Sequence, residues 1–293
     1  MAYAIIEAPS ALGLSTDGVE GLAGRLLDLG LAERLGARRA ARLREPARHE
    51  QIDKATGVRN AGAIAEWTPE LADAITPVLE RGEFPIVLGG DCTILLGSLL
   101  ALRPRGSYSL LFIDGHADFF QPEAEPNGEG ASMDLAWATG HGPAPLTEIG
   151  GQSPLVRSAN VVAFGFRDHD DQREAGSQPL PTDMHILDLP LLREMDFRDA
   201  VQSALKHLTR ADLDGFFIHL DADCLDDQLM PAVDFRLPGG LSAAEVKQLL
   251  QAALATGKAV GLEVTIYNPT LDKDGRAGRL LVDLLVDALG SAA

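Results

Sequence analysis

Short apolar runs alternate along the chain with longer amphipathic segments. The runs Phe84–Leu88, Tyr108–Ile113 and Val260–Thr265 have the length and continuity of buried strands. Between such runs lie segments with helical spacing of apolar residues, among them Phe197–Leu208 and Arg276–Leu289. Strands that alternate with helices over short connections favour right-handed crossovers. We therefore predict an α/β fold with a parallel sheet that carries helices on both faces.

Local patterns predict how individual segments fold. The arginine-rich run Arg38–Arg48 is expected to be an exposed helix face or a loop. Thr68 followed by Pro69 is typical of an N-cap and the first residue of a helix. Ser242 and Glu245 have the spacing of a capping box, which predicts the start of another helix.

Polar side chains collect where two of the apolar runs end. In the stretch LLFIDGHADFF, the side chains of Asp114, His116 and Asp118 share one face if the backbone stays extended. In GFFIHLDAD, Asp221 and Asp223 follow a strand in the same way. Taken alone, the first motif could be either a metal site or a strand end with solvated acids and a polar histidine. Acids beside two buried strands are costly unless something pairs them, so we expect a divalent cation.

The chemistry of these side chains restricts which metals the site can bind. Oxygen-rich ligand sets with an imidazole favour Mn(II), Fe(II) or Mg(II), and two such cations would activate a shared water as a nucleophile. Polar clusters also follow other strands, at 91–92 and 168–170. Strand ends of a parallel sheet lie along one edge, where open α/β sheets bind ligands. We predict a hydrolytic metal site in a single domain over residues 1–293, since no linker or repeat interrupts the chain.

Composition restricts the partners of the protein. The formal net charge is -18 over 293 residues, which argues against nucleic acid and anionic membranes and suits a cationic small-molecule substrate. The start MAYAIIEAPS lacks the basic region of a signal peptide, and no apolar run has the length of a membrane span. Only two cysteines occur, which excludes a disulfide framework and makes the cytoplasm the expected location.

Taken in order, the motifs resemble those of the arginase/agmatinase/formimidoylglutamase (ureohydrolase) superfamily. Its patterns GGDH, DAHxD and DxD with a later PGG correspond here to GGDC at 89–92, DGHAD at 114–118, DAD at 221–223 and PGG at 238–240. The opening AIIEAPSALG and the closing GLEVTIYNP also fit. The resemblance implies a three-layer α/β/α fold with a mainly parallel central sheet. It also implies a trimer or hexamer that hydrolyses a guanidino or other linear amidine C–N bond.

The resemblance further implies a binuclear manganese (Mn²⁺) centre. Five residues carry over directly as metal ligands: Asp114, His116, Asp118, Asp221 and Asp223. Asp114 and Asp221 would bridge the two metals. The histidine ligand of GGDH is Cys92 here, as in superfamily members that act on N-hydroxyarginine. Cys92 either binds a softer metal such as zinc or iron as a thiolate, or stays protonated and leaves one metal weakly held.

Two other departures concern catalysis and substrate binding. Ala131 occupies the position of the superfamily's catalytic loop histidine, so the catalytic candidates are Asp118 and, as a replacement proton shuttle, His141. Ile266 stands where the superfamily has a glutamate that grips guanidinium. The substrate-binding candidates that remain are Asp134, Asp170 and Glu263. Each of these candidates has an alternative interpretation. His141 could be a surface residue, and Asp134 an exposed charge at the start of a helix. Asp170 could belong to a solvated turn, and Glu263 could only support the site.

These observations favour a metal-dependent hydrolase of a guanidino or other linear amidine C–N bond, with a substrate other than plain arginine. A hydroxylated, N-substituted or formimino compound fits the altered residues. One alternative is a non-catalytic relative that binds a metal or a small ligand. Another is a deacetylase-like amidohydrolase with a single zinc, which the number of bound metals would distinguish.

Overall fold

The computed structural model describes residues 1–49 and 51–290. Within these residues the strands are β1 (Tyr3–Glu7), β2 (Arg38–Arg42), β3 (Phe84–Leu88), β4 (Tyr108–Ile113), β5 (Val161–Phe164), β6 (His185–Leu187), β7 (Gly215–Asp221) and β8 (Ala259–Thr265). They form one sheet in the order β2-β1-β3-β8-β7-β4-β5-β6. Every neighbouring pair is parallel, as the alternation of strands and helices predicts.

Helices cover both faces of this sheet. Those that contribute to the core on one face are α3 (Ala61–Glu80), α4 (Leu95–Leu102), α5 (Asp134–Ala138) and α6 (Ala144–Thr147). The opposite face carries α1 (Leu22–Asp28), α2 (Leu31–Leu35), α8 (Leu189–Glu194), α9 (Phe197–Leu208), α10 (Ala243–Ala255) and α11 (Arg276–Leu289). The remaining helix of the described residues, α7 (His169–Ala175), buries none of its side chains.

Alternation along the strands divides the apolar side chains between two cores. Ile86 and Leu88 of β3 belong to one core, whereas Val87 between them belongs to the other. Because central parallel strands are covered on both faces, they are apolar almost throughout. The predicted three-layer α/β/α fold with a parallel central sheet is confirmed. The capping box is confirmed as well, because Ser242 accepts from the backbone N–H of Glu245 and the Glu245 side chain returns the bond.

The arginine-rich run is partly an edge strand, so the prediction of a helix face or loop is wrong for its first half. β2 pairs with β1, and Arg39 lies 2.5 Å from the buried Glu7 carboxylate. Apolar periodicity could not predict this strand, since its stabilising contacts are backbone pairing and ion pairs. Arginines on an edge strand also discourage pairing with another chain.

The predicted helix start at Thr68 is also wrong. Helix α3 begins seven residues earlier at Ala61, and Thr68 and Pro69 lie inside it. The Thr68 hydroxyl donates to the carbonyl of Ile64 at 2.7 Å, one helical turn back. Side-chain bonding to the preceding turn, rather than capping of a new helix, explains a threonine at this position.

Candidate metal centre

Four adjacent strands, β3, β8, β7 and β4, end at one edge of the sheet. The polar segments that follow them surround a cavity of about 230 Å³. The acids that line it are Asp114, Asp118, Glu125, Glu129, Asp168, Asp171, Asp221 and Asp223. His116 lines it too, whereas no lysine or arginine does so in the part of the chain that the structure describes. The cavity therefore attracts cations.

A first group of candidate ligands comes from the segments that follow β4 and β7. His116 Nδ1 lies 2.9 Å from Asp223 Oδ2, and the Gly115 N–H donates to Asp223 Oδ1 at 3.0 Å. Burial opposes charge on His116, but the neighbouring acids outweigh this and raise its pKa to about 10. Burial also disfavours the charged form of Asp223, yet His116 lowers that pKa to about 2. Burial and the Asp223 charge raise the pKa of Asp114 to about 6.

A second group lies deeper. Cys92 Sγ and Thr265 Oγ1 each donate to Asp221 Oδ2, both at 2.9 Å. Burial, reinforced by neighbouring acids, raises the pKa of Cys92 and of Asp221 well above their usual values. Ligand atoms of Cys92, Asp114, His219 and Asp221 all lie within 4.8 Å of one another. Asp114 belongs to both groups and therefore lies between them.

His219 reaches this group from the interior of the sheet. Its side chain is fully buried on β7, and Phe112 stacks on its ring with a centroid distance of 4.5 Å. His219 Nδ1 lies 2.7 Å from Glu263 Oε1, and the Ser98 hydroxyl donates to Glu263 Oε2 at 2.6 Å. The ring is held so that its Nε2 is 3.5 Å from Asp114 Oδ2.

Asp118 and Asp134 form a pair of buried acids beside these groups. Asp118 has a left-handed backbone with φ 46°, a conformation that aspartate tolerates. Asp134 is fully buried, which overturns its alternative interpretation as an exposed helix-start charge. Burial raises the pKa of both carboxyls, and contact with Asp134 raises that of Asp118 further. A proton shared between the two would relieve their repulsion.

The substrate-binding role proposed for Asp170 does not fit its position. Asp170 lies on the outer side of α7, where its carboxylate is 82 % exposed and pairs with Arg173 at 2.6 Å. Its neighbour Asp171 lines the cavity instead. Successive residues of a helix are about 100° apart, so the two acids face different directions.

His141 and Glu263 also lie away from the cavity. His141 is exposed, and its Nδ1 is 3.1 Å from Thr139 Oγ1. Glu263 is fully buried, and its two oxygens contact His219 and Ser98. Neither side chain lines the cavity. Their positions therefore do not support a role for His141 as a proton shuttle or for Glu263 in substrate binding.

The donor set fits a divalent cation. Asp114 Oδ2 and His219 Nε2 are buried and have no hydrogen-bond partner among the described residues. Buried polar atoms are normally paired, so two unpaired ligand atoms near one point suggest a cation. The nearby Asp91 shows the contrast, because its carboxylate accepts bonds from Ser10 Oγ at 2.7 Å and Thr93 N at 2.9 Å. Asp91 is therefore a structural acid.

Known proteins share this sequence and architecture. The sequence model of the Arginase family matches residues 31–290. An arginase from Bacillus caldovelox is 33% identical over 249 residues, which cover 83% of this chain and 80% of that protein. The chain belongs to the arginase family. Its motifs are thus confirmed as those of a family of metal-dependent hydrolases.

Solved structures of the arginase family agree with the fold. The structure of the Bacillus caldovelox arginase aligns with a TM-score of 0.87 and 27% identity, covering 99% of this chain and 98% of that one. The agmatine ureohydrolase of Thermoplasma volcanium aligns with a TM-score of 0.72 at 16% identity, covering 99% and 89%. The second likeness concerns the fold alone. The chain is accordingly an arginase-family hydrolase whose substrate these relatives do not decide.

The motif analysis missed His219 and Asp171. His219 and Asp221 alternate on β7, and Asp223 follows at the same spacing just after the strand, so extending the spacing one step back from the acidic motif includes the histidine. Asp171 follows Asp170 directly, and only the position of α7 distinguishes them.

Proposed function

We propose that this protein hydrolyses a guanidino or other linear amidine C–N bond in a small cationic molecule that lacks a carboxylate. The observation that carries the proposal is the acid-lined cavity above two ligand groups that share Asp114. Membership of the arginase family supports the class of reaction. The charge of the cavity lining supports the class of substrate.

The residues that would hold the metal are those that surround the cavity floor: Cys92, Asp114, His116, Asp118, Asp221 and Asp223. Divalent cations, when bound, polarise a substrate and lower the pKa of water. Manganese suits the oxygen-rich part of this set, whereas Cys92 favours a softer metal at its end. We therefore expect two cations per chain that need not be the same element.

The outer lining would bind and orient the substrate. Guanidinium and amidinium groups only donate hydrogen bonds, and carboxylates only accept them. Asp168 lines the cavity and keeps one buried oxygen without a partner among the described residues, so it is available for such a bond. Phe120 and Phe235 offer apolar contact at the same cavity. A substrate carboxylate would meet like charges there.

A non-catalytic relative that binds a small cation is the second candidate. It is favoured by the absence of an imidazole at Ala131, which lines the cavity, and by the exposed position of His141. The single-zinc hypothesis is distinguished by the number of metals bound. A cytoplasmic location and a trimer or hexamer stay predictions.

Turnover of matched compounds tests the proposal. Protein loaded with manganese or zinc is assayed for urea or ammonia release from arginine and agmatine, which differ by one carboxylate, and from hydroxylated and formimino analogues. We expect kcat/KM to be about tenfold higher or more without the carboxylate, which corresponds to about 1.4 kcal/mol. A preference for arginine would contradict the substrate class. Bound metal without any turnover would favour the binding relative.

A further inference from the structure

The imidazole that the superfamily places at position 92 is absent, yet a second imidazole reaches the same group from β7. We propose that His219 Nε2 is a metal ligand in a site formed with Cys92, Asp114 and Asp221. This inference rests on the metal centre of the proposed function and adds a ligand to it.

The distance between His219 Nε2 and Asp114 Oδ2 fits two ligands of one cation. At 3.5 Å the pair is longer than an ordinary hydrogen bond. It matches the separation of about 3.4 Å between two ligands that each lie about 2.1 Å from one tetrahedral cation. Both atoms are buried without a hydrogen-bond partner in the described structure.

The hydrogen bonding of the other ring nitrogen, Nδ1, is also that of a metal-binding histidine. A histidine that binds metal through one nitrogen usually donates the other N–H to a carboxylate. His219 Nδ1 lies 2.7 Å from Glu263 Oε1. A proton on Nδ1 satisfies Glu263 and leaves the Nε2 lone pair for a cation. Ser98 completes the arrangement by donating to the second Glu263 oxygen at 2.6 Å.

The sheet holds these groups in register. His219 is paired with Phe112 of β4 on one side and with Glu263 of β8 on the other. Their side chains occupy one face, where Phe112 stacks on the imidazole. Glu263 and Phe112 thus fix the ring from both neighbouring strands. Preorganised ligands on rigid strands hold a metal better than ligands on loops.

The composition of this ligand group indicates the metal. A thiol, an imidazole and two carboxylates favour a tetrahedral cation such as Zn(II), Co(II) or Fe(II) over Mn(II). The Cys92 thiol now donates to Asp221 at 2.9 Å, so a cation that binds Cys92 must displace this proton. The other group, Asp114, His116 and Asp223, contains only oxygen and nitrogen donors and suits manganese.

Substitution of the imidazole tests the assignment. His219→Asn keeps a group that can donate to Glu263 but removes Nε2. At the other group, His116→Ala removes Nδ1, the ring nitrogen that lies 2.9 Å from Asp223 Oδ2. Metal per chain and affinity for Co(II) are measured after gel filtration, together with the thiolate-to-cobalt charge-transfer band. We expect His219→Asn to lose the cation that gives this band. His116→Ala should keep the band and lose the other cation.

Two further variants separate ligand binding from folding. Glu263→Gln should weaken the Cys92-containing site by about tenfold to hundredfold, the usual effect of losing a partner of a ligating histidine. His185→Asn removes a half-buried imidazole outside both ligand groups and should leave metal binding unchanged. Unfolding of the metal-free variants establishes that each has folded.

Retention of both metals and of the unaltered cobalt spectrum by His219→Asn would overturn the assignment and make His219 an internal hydrogen-bonding residue. If that variant does not fold, X-ray absorption of the wild-type zinc protein decides by counting imidazoles. Two zinc-bound imidazoles per chain support the proposal, and one zinc-bound imidazole per chain overturns it. Neither outcome depends on turnover, so a loaded protein without activity would contradict the proposed function and leave the ligand assignment intact.

Discussion

Asp170 and Asp171 are adjacent on α7, but only Asp171 lines the cavity. We predict that Asp171→Asn raises KM for a cationic substrate by about threefold to tenfold. An exposed ion pair contributes up to about 1 kcal/mol, and 1.4 kcal/mol corresponds to a factor of ten. Steady-state kinetics measure the change. Asp170→Asn is the matched control and should leave KM unchanged, and equal effects of the two variants would contradict the geometry.

Asp134 is a fully buried acid whose oxygens have no hydrogen-bond donor among the described residues other than a protonated Asp118. We predict that Asp134→Asn stabilises the metal-free protein by about 1–3 kcal/mol. The amide removes a like charge and donates to Asp118, which ends the penalty of a buried unpaired group. Urea unfolding in the presence of a chelator measures the difference. A less stable variant would show that the proton shared with Asp118 outweighs this penalty.

The meeting of the two acidic motifs at one cavity was predictable from the sequence because both follow strands of a parallel sheet. The extended geometry was not, since Asp118 has a left-handed backbone and Asp223 lies in a short 3-10 helix. His219 was missed although it continues the spacing of the acidic motif, since a histidine between apolar residues is also typical of a sheet interior. Its role depends on Glu263 and Ser98, which are 44 and 165 residues apart from their partners in the chain. Only the sheet order brings them together, and sequence spacing contains no such information.

At the scale of elements, the ends of β1 and β3 approach closely at Gly90. A Cβ at this position would lie 1.6 Å from the carbonyl oxygen of Ser10, within the segment that leads to Cys92. We predict that Gly90→Ala destabilises the protein by about 3 kcal/mol or more, because backbone cannot yield to the added atom. Gly24→Ala in α1 meets nothing within 4 Å and should instead stabilise by about 0.5–1 kcal/mol.

Chemical denaturation of both glycine variants measures the free energies of unfolding. Metal content should fall with Gly90→Ala and stay constant with Gly24→Ala. If Gly90→Ala leaves the free energy of unfolding unchanged, the close approach between position 90 and the Ser10 carbonyl is contradicted.

The stacked pair of His185 on β6 and His207 on α9 predicts a dependence of stability on pH. The rings lie 4.9 Å apart, and burial lowers the pKa of each below 6.5. The unfolded chain therefore binds protons more readily than the folded one. The stability contributed by this pair is complete above pH 6.5 and is lost as the pH falls below that value.

Unfolding of the wild type and of His207→Gln across this pH range measures the effect. The variant should lose less stability on acidification than the wild type does. Parallel pH profiles would contradict a contribution from the pair.

The central elements of the fold were predictable because β3, β4 and β8 are continuous apolar runs and the connecting helices are amphipathic. The edge strand β2 was not predictable in this way. Its arginines are stabilised by acids elsewhere in the chain, such as Glu7 and Glu83. The start of α3 was misassigned because Thr68 and Pro69 form a capping pattern that the longer helix overrides. Tertiary contacts outweighed local preference in both cases.

At the scale of the whole molecule, negative charge is in excess over the entire chain and is also concentrated at one cavity. The formal net charge is -18, and eight of the acids line one cavity. Such a field raises the local concentration of cations and repels anions. This acidity suits a metal centre, and it would also favour the cationic substrate that we propose. It also opposes folding when no cation is bound, since buried acids of like charge repel.

Cation binding should consequently contribute a large share of the stability. A ligand at 100 times its Kd stabilises the folded state by about 2.7 kcal/mol. For a chain of this size each kcal/mol shifts Tm by about 2–4 °C, so a chelator should lower Tm by about 5–10 °C for each cation removed. Because salt screens repulsion, added salt should raise Tm of the metal-free protein more than that of the loaded protein. Calorimetry at low and high salt, with and without chelator, measures both effects. Equal Tm values in all four conditions would mean that the acids of the cavity bind no cation.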